Sequence, residues 1–175
     1  MAGFSSGPSW SPPDYALRVA KGCDIEPITD LINAAFAVER FFIDGDRIDA
    51  EKVRDLFGKG KFLLAEDAAG LAGCVYLELR GERGYLGLLS VEPDRQQAGL
   101  GRRLAIAAEE HLRAAGCLAI DLAVVNLRPE LVPFYTRLGY RETGVAPFPP
   151  EKSTKLPCHF ITMAKSLEDT SEISN

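Results

Sequence analysis

Residues 88–103 read Leu-Leu-Ser-Val-Glu-Pro-Asp-Arg-Gln-Gln-Ala-Gly-Leu-Gly-Arg-Arg. An apolar run ends before Pro93, a polar loop with two glycines follows, and a long amphipathic segment begins at Leu100. This order predicts a strand, a tight loop and the N-terminus of a helix. Backbone N–H groups and the positive end of the helix dipole would then meet at one point, which suits a phosphate group. Because Gly99 and Gly101 carry no side chain, a phosphorylated cofactor could approach the backbone there, and the stretch predicts one.

Two common phosphate-binding motifs do not fit this spacing. The dinucleotide fingerprint, G-x-G-x-x-G, needs a third glycine where this chain has Leu104. The P-loop needs Lys followed by Ser or Thr, and the chain has two arginines, 102 and 103, in those places. The pattern Gln96-x-x-Gly99-x-Gly101, directly after a strand that ends at Val91, is similar instead to the coenzyme A loop of the GNAT acyltransferases. Taken alone, the loop is equally compatible with an ordinary glycine turn at a helix start.

A second stretch extends the resemblance. Residues 118–125 are rich in branched apolar side chains and predict a buried strand. Asn126 follows, and residues 129–140 predict a short helix that carries Phe134 and Tyr135 and closes with Leu-Gly-Tyr. Both segments stand in the order and at the spacing of the GNAT family. The chain is identified as a member of that family, and the resemblance covers most of residues 14–167.

The predicted elements alternate in type along the chain. Strands are predicted at 15–19, 62–66, 71–79, 84–91, 118–125, 140–145 and 159–164, and helices at 25–38, 50–57, 100–115 and around Tyr135. We therefore expect an α+β domain with a mixed, mostly antiparallel central sheet flanked by helices, which is the GNAT acyl-CoA acyltransferase fold. The domain is predicted at 14–167, between a flexible leader, 1–13, and a flexible tail, 168–175. In the family, the strand at 84–91 splays from the strand at 118–125, and the cofactor's pantetheine arm lies in the gap.

The composition of the chain disfavours several classes of function. The 175 residues are 46% hydrophobic and 26% charged, as in a soluble globular protein, and the net charge of −5 disfavours general nucleic-acid binding and favours a cationic acceptor. The four cysteines, at 23, 74, 117 and 158, are far apart, so neither a metal site nor a disulfide framework is predicted. The chain shows neither a signal peptide nor a membrane-spanning run, so we expect a cytoplasmic protein without a membrane partner.

The resemblance implies an enzyme that moves an acetyl group from acetyl-CoA to an amine of a small molecule or protein. Two other classes stay open. A non-catalytic acyl-CoA-binding or sensor module would keep the loop without needing Tyr135, and a different nucleotide-binding domain, such as an oxidoreductase, is disfavoured by Leu104. Homodimers occur in the family, so a homodimer is a further possibility here.

Site residues follow from the same resemblance. The residues expected to bind the cofactor are Leu89, Ser90, Val91, Gln96, Gln97, Ala98, Gly99, Leu100, Gly101, Arg102 and Asn126. A backbone N–H of Leu89 or Ser90 would stabilise the oxyanion, and Asn126 has the alternative role of a turn residue. Tyr135 occupies the position of the family's proton donor, with simple packing as its alternative. Arg102 lies nearer the loop than Arg103 and is the better candidate for a phosphate contact.

The acceptor site is less well defined by the sequence. Phe41 and Phe42 stand among acidic residues and could form an aromatic, acidic pocket for a cationic amine, or they could join the core. Glu78, Tyr85 and His159 are the other candidate acceptor contacts. Tyr85 occupies the position at which some family members carry a glutamate base. Glu78 and His159 could each be surface or structural residues, so no general base is assigned.

Overall fold

The computed structural model describes residues 14–168, in which seven strands form one sheet. The strands are β1 (Ala16–Val19), β2 (Gly60–Asp67), β3 (Gly70–Arg80), β4 (Arg83–Val91), β5 (Ala119–Val125), β6 (Arg141–Pro147) and β7 (His159–Ser166). The helices are α1 (Ile25–Ala35), α2 (Ala50–Phe57), α3 (Leu100–Ala114) and α4 (Leu131–Arg137). The predicted leader, 1–13, lies outside the described residues, and so does the predicted tail apart from residue 168.

The strand order is β1-β2-β3-β4-β5-β7-β6. Every neighbouring pair is antiparallel except β4 and β5, which run parallel. This confirms the predicted mixed, mostly antiparallel sheet flanked by helices. Within residues 14–168, no helix has both the length and the apolar composition needed to cross a membrane.

The central strands β2 and β3 are apolar on both faces. Leu63 and Val75 pack in the cluster that contains α3 and the tyrosine of α4, whereas Leu64 and Tyr76 pack with α1 and α2. Because successive side chains of a strand point to opposite faces, α1 and α2 cover one face of the sheet and α3 and α4 cover the other. This double burial explains why the strands read as continuous apolar runs rather than alternating ones.

The two parallel strands β4 and β5 stay paired at one end only. Three residue pairs join them, from Arg83↔Ala119 to Tyr85↔Asp121, while β5 pairs with β7 along its whole length. Beyond Tyr85 the facing edges of β4 and β5 form no ladder, so a gap opens toward their C-terminal ends. The splay that the family resemblance implied is therefore confirmed.

A bulge in β4 lies beside this gap. Leu88 and Leu89 together stand opposite Val75 of β3, and the register shifts at this point. Leu88 has a φ of 51°, a left-handed conformation that residues other than glycine rarely adopt. Its carbonyl accepts a hydrogen bond from Ser90 Oγ at 2.9 Å, which stabilises the turn of the backbone. The bulge directs Leu88 and Leu89 into the wall of the gap.

The elements begin and end close to the predicted residues. Helix α2 has its predicted bounds, and Asp49 Oδ1 accepts from Lys52 N at its N-terminus at 2.8 Å. Helix α1 is shorter than the predicted 25–38, because its last turn tightens into a 3-10 helix at Phe36–Glu39. That tighter turn matters, since it carries Phe36 and Glu39 to the edge of the gap.

Candidate active site

A cleft of about 650 Å³ occupies the gap between β4 and β5. Its two ends lie on different faces of the sheet. One end, called the loop end, is formed before and at the start of α3 by Gln96, Gln97, Gly99, Gly101 and Arg102. The other, called the arginine end, is formed by Phe36, Glu39, Arg47 and Arg128. A ligand in the cleft therefore reaches through the sheet from the α3 face to the α1 face.

The loop end is built mainly from backbone. Gly99 has a φ of 82° and serves as the N-cap of α3, where Arg103 N makes the first helical hydrogen bond to Gly99 O at 3.1 Å. The preceding N–H groups of the helix thus have no acceptor within it. The first turn, residues 100–103, contains two arginines and no acidic residue, so the positive end of the dipole is not neutralised locally. This arrangement suits a phosphate group.

Two side chains shape the loop end further. Gln96 Nε2 donates to Val91 O at 3.1 Å and ties the loop to the end of β4. A Cβ added to Gly101 would lie 3.8 Å from both Phe134 and Val91, so a side chain larger than alanine would fill the space between α3 and α4. Glycine at this position keeps the cleft open.

The arginines near the loop differ in their surroundings. Arg102 is exposed, lines the cleft and has no ion-pair partner among residues 14–168. Arg103 turns away and lies over the Tyr15 ring, 5.9 Å from its centroid. Arg95 also lines the cleft, but its guanidinium binds Asp67 and lowers the pKa of that carboxyl. The sequence-based preference for Arg102 over Arg103 agrees with this geometry.

Several predicted cofactor contacts lie outside the cleft or reach it only through backbone. Leu100 is buried in the core, and the Ser90 hydroxyl is bound to Leu88 O, so neither side chain faces the cleft. Ala98 is exposed and does not line it. The Asn126 side chain does not line it either, because its Oδ1 accepts from His159 N at 2.9 Å. Asn126 thus joins the end of β5 to the start of β7, and its contact with the cofactor stays a prediction.

Tyr135 of α4 lines the cleft. Its ring packs edge-on against Phe134 and Tyr140, with centroid distances of 5.0 and 5.7 Å. Burial raises the pKa of the phenol well above its ordinary value, and the nearby Tyr85 raises it further, while Arg128 acts in the opposite direction. The phenol therefore stays protonated at neutral pH and has a proton to donate.

Tyr85 of β4 lines the cleft as predicted for an acceptor contact. The Arg80 guanidinium lies 4.0 Å from its ring centroid, and burial raises the pKa of the phenol. The ring covers Gly87, where an added Cβ would come within 2.8 Å of it. Glycine at 87 is what allows the Tyr85 ring to lie flat along the wall of the cleft.

Four other predicted acceptor contacts do not reach the cleft. Phe42 is fully buried with Ile43 and Val125, so the prediction that it joins the core was right. Phe41 is exposed outside the cleft, and its ring centroid lies 4.8 Å from that of Phe42. Glu78 accepts from Tyr76 Oη and Arg80 Nε, both at 2.9 Å. His159 is exposed at the start of β7. The predicted aromatic, acidic pocket is therefore wrong.

The arginine end was missed by the sequence analysis. Glu39, only 3% exposed, accepts from Arg47 Nη1 at 3.0 Å and from Arg128 Nη1 at 3.5 Å. Both guanidiniums lie near the Phe36 ring, at 4.8 and 5.9 Å from its centroid. These residues come from three separate segments, and no local spacing links them. The one available signal was Arg128, which stands where the family pattern has another polar residue.

Comparison with known proteins bears on this site. A family model described as an acetyltransferase (GNAT) domain matches residues 36–166. Mycothiol acetyltransferase of Propionibacterium freudenreichii is 30% identical over 140 residues, which cover 74% of this chain and 45% of that protein. Glucosamine 6-phosphate N-acetyltransferase 1 of Oryza sativa is 34% identical over 92 residues, covering 47% of this chain and 54% of that protein. The chain spans about half the length of the curated relatives it matches.

Solved structures share the fold at low sequence identity. The ribosomal-protein-S18-alanine N-acetyltransferase of Escherichia coli superimposes with a TM-score of 0.69 at 17% identity, over 93% of this chain and 99% of that chain. A protein of Salmonella typhimurium solved with its cofactor acetyl-CoA gives a TM-score of 0.68 at 18% identity, over 90% and 96% of the two chains.

Proposed function

Because the chain belongs to the GNAT acetyltransferase family, we propose that it transfers an acetyl group from acetyl-CoA to an amine. The observation that carries the proposal is the gap between β4 and β5, which joins the phosphate-suited loop end to Tyr135. Relatives named for mycothiol and for glucosamine 6-phosphate support a small-molecule acceptor. A homodimer remains a prediction.

The cleft fits acetyl-CoA in its donors and its shape. The N–H groups at the start of α3, together with Arg102, would hold the phosphates. The edge of β4 that faces the gap offers backbone donors and acceptors to the amides of the pantetheine arm. Gly101 leaves the space beside Phe134 and Val91 open to the cofactor. Bound acetyl-CoA supplies a thioester with an acetyl carbon open to attack and a sulfur that can depart.

The β4 bulge is the site we assign to oxyanion stabilisation. Leu89 lines the cleft, whereas Ser90 is buried, so of the two predicted donors the Leu89 N–H is the better one. A backbone N–H fixed by the bulge needs no rearrangement as negative charge develops on the carbonyl oxygen. Removing one donor of this kind costs roughly a hundredfold or more in kcat in other enzymes.

Tyr135 is the proton donor in this proposal. Its Oη would give a proton to the departing sulfur as the new N–C bond forms and the C–S bond breaks. The phenol is protonated at neutral pH, and the departing thiolate is the base that would take its proton. A non-catalytic binding module would not need a proton donor at this position.

The acceptor amine loses its proton without a dedicated carboxylate base. Of the described residues that line the cleft, the carboxylates are Glu39 and Glu130. Glu39 is held by two arginines, and Glu130 is bound to Arg128 at the mouth. Because both carboxylates are already paired with arginine, we assign removal of the amine proton to water.

Calorimetric titration with acetyl-CoA, with NAD and ATP as controls, tests the proposal. We expect acetyl-CoA to bind and the controls not to bind. Release of free thiol in the presence of an amine panel then measures transfer. Binding without transfer to any amine would favour the acyl-CoA-binding module, and absence of acetyl-CoA binding would overturn the functional assignment.

A further inference from the structure

The arginine end contains guanidinium N–H groups that have no acceptor among the described residues. Glu39 takes one hydrogen bond on each oxygen, from Nη1 of Arg47 and from Nη1 of Arg128. Arg128 Nε also donates to Glu130 Oε1 at 2.9 Å, so two carboxylates balance the two guanidiniums, but neither arginine has an acceptor for every N–H. Among residues 14–168, nothing accepts a hydrogen bond from Nε or Nη2 of Arg47 or from Nη2 of Arg128.

Both guanidiniums are held in place before any ligand arrives. Their side chains are about one-fifth exposed, and the Phe36 ring and buried Glu39 fix their positions. Their unused N–H groups lie in the wall of the open cleft, where a ligand that supplies oxygens can accept from them. The planar forks of arginine match the geometry of carboxylate and phosphate groups.

The arginine end also lies next to the reacting part of the cleft. Tyr85 and Tyr135, the two phenols that line the gap, are close enough to feel the charges of Arg47 and Arg128, respectively. The loop end, which suits the cofactor phosphates, lies on the opposite face of the sheet. The arginines are therefore placed to contact the acceptor rather than the cofactor.

We propose that the acceptor carries a carboxylate or phosphate group on the same molecule as its amine, and that Arg47 and Arg128 bind this oxyanion. The proposal rests on the acetyl transfer proposed above and names its substrate class. It reverses the expectation of a cationic acceptor drawn from the net charge of −5, because guanidinium N–H groups without acceptors line this end of the cleft. The acidic residues that make the chain anionic lie mostly elsewhere on the surface.

Matched pairs of acceptors test the proposal with the full chain. Glucosamine 6-phosphate is compared with glucosamine, phenylalanine with phenylalaninamide, and spermidine serves as a cationic acceptor. We expect the anionic member of at least one pair to have a kcat/KM roughly tenfold or more above its neutral partner, as charge-assisted hydrogen bonds provide. A preference within the glucosamine pair indicates that the bound group is a phosphate, and a preference within the phenylalanine pair indicates a carboxylate.

Variants assign the preference to residues. Arg47→Gln and Arg128→Gln should each raise KM for the anionic acceptor roughly tenfold and change KM for the neutral partner less than about twofold. Arg40→Gln is the matched control, because Arg40 is on the same segment but 61% exposed and outside the cleft. Thermal unfolding checks that each variant folds.

Glu39→Gln separates ligand binding from a purely structural role. If the arginines bind an oxyanion, removing the competing carboxylate lowers the ratio of KM for the anionic acceptor to KM for its neutral partner. If they serve only to neutralise Glu39, the substitution changes stability without changing the ratio of the two KM values, and the proposal fails.

The outcomes also separate this inference from the proposed function. Absence of acetyl-CoA binding overturns both. Acetyl-CoA binding with preference for glucosamine, phenylalaninamide or spermidine overturns the inference alone. If no amine of the panel is acetylated, the CoA-saturated protein is titrated calorimetrically with the two anionic acceptors. Binding that Arg47→Gln abolishes supports the inference, and absence of binding overturns it.

Discussion

The loop end and the arginine end of the cleft are assembled from different parts of the chain. The loop end comes from one continuous stretch, residues 96–102, and its N–H groups belong to the backbone. The arginine end comes from three segments that are distant in sequence, and side chains form it. A site made of backbone is specified by local spacing, whereas a site made of side chains depends on how the segments pack.

The largest effect is expected between the two ends, at Tyr135. Tyr135→Phe should lower kcat by roughly two to four orders of magnitude, the usual contribution of general acid catalysis, and leave acetyl-CoA affinity within about twofold. Steady-state kinetics and calorimetry measure the two quantities. Tyr140→Phe is a matched control, because Tyr140 is also a buried tyrosine beside α4 and does not line the cleft. Equal kcat values for the two variants would show that Tyr135 packs against its neighbours and is not the proton donor.

The next largest effect is expected on acetyl-CoA binding at the loop end, which is built mainly from backbone. Gly101→Trp should weaken acetyl-CoA binding by roughly a hundredfold, because the indole would fill the space beside Phe134, whereas Gly101→Ala should bind almost normally. Calorimetry gives the affinities. Gly22→Trp is the control, since an added Cβ at Gly22 has nothing within 4 Å. Unchanged affinity in Gly101→Trp would remove the loop from the site.

A substitution at Asn126 tests whether this side chain contacts the cofactor or only joins β5 to β7. Asn126→Ala should lower the free energy of unfolding by about 1 kcal/mol, the usual value for one hydrogen bond, since His159 N loses its acceptor. Acetyl-CoA affinity should change less than about twofold. Denaturant unfolding and calorimetry distinguish the roles, and a loss of affinity without a loss of stability would restore the cofactor contact.

The smallest effect concerns pH. Burial raises the pKa of Tyr135 above the ordinary tyrosine value of about 10, so the acid form persists through neutral and mildly alkaline pH. The rate should therefore rise with pH as the acceptor amine loses its proton and then stay level, with no fall due to Tyr135 below about pH 10. Profiles of kcat against pH for the wild type and Tyr135→Phe measure this. A descending limb near neutral pH that disappears in the variant would contradict it.

The sequence predicted the architecture well where periodicity is strong. The long helix α3 and the strands that flank the loop begin and end within one or two residues of the predicted positions, because their apolar patterns and glycine or proline boundaries are local. The splay of β4 from β5 followed from the family resemblance, since nothing in either strand alone determines where pairing stops. At α1, the sequence did not reveal the 3-10 turn that carries Glu39 inward.

Side-chain roles were harder to predict. Phe42 and Glu78 were plausible acceptor contacts by residue type, yet one is in the core and the other is bound to Tyr76 and Arg80. Tyr85 was assigned to the acceptor site from its position before the loop, and it does line the cleft. The position of a residue on β4 can be counted back from the cofactor loop. The segment before α2 contains no motif from which a position could be counted.

The sequence by itself determined the element order, the loop Gln96–Gly101 and the position of Tyr135 on a short helix after β5. These depend on φ/ψ preferences, turn residues and hydrophobic period, all of which act over a few neighbouring residues. Only the tertiary structure decided that Arg47 and Arg128 meet at a buried Glu39 beside the cleft. Contacts between distant segments depend on how the helices and loops pack on the sheet, and the local sequence around each residue does not predict that packing.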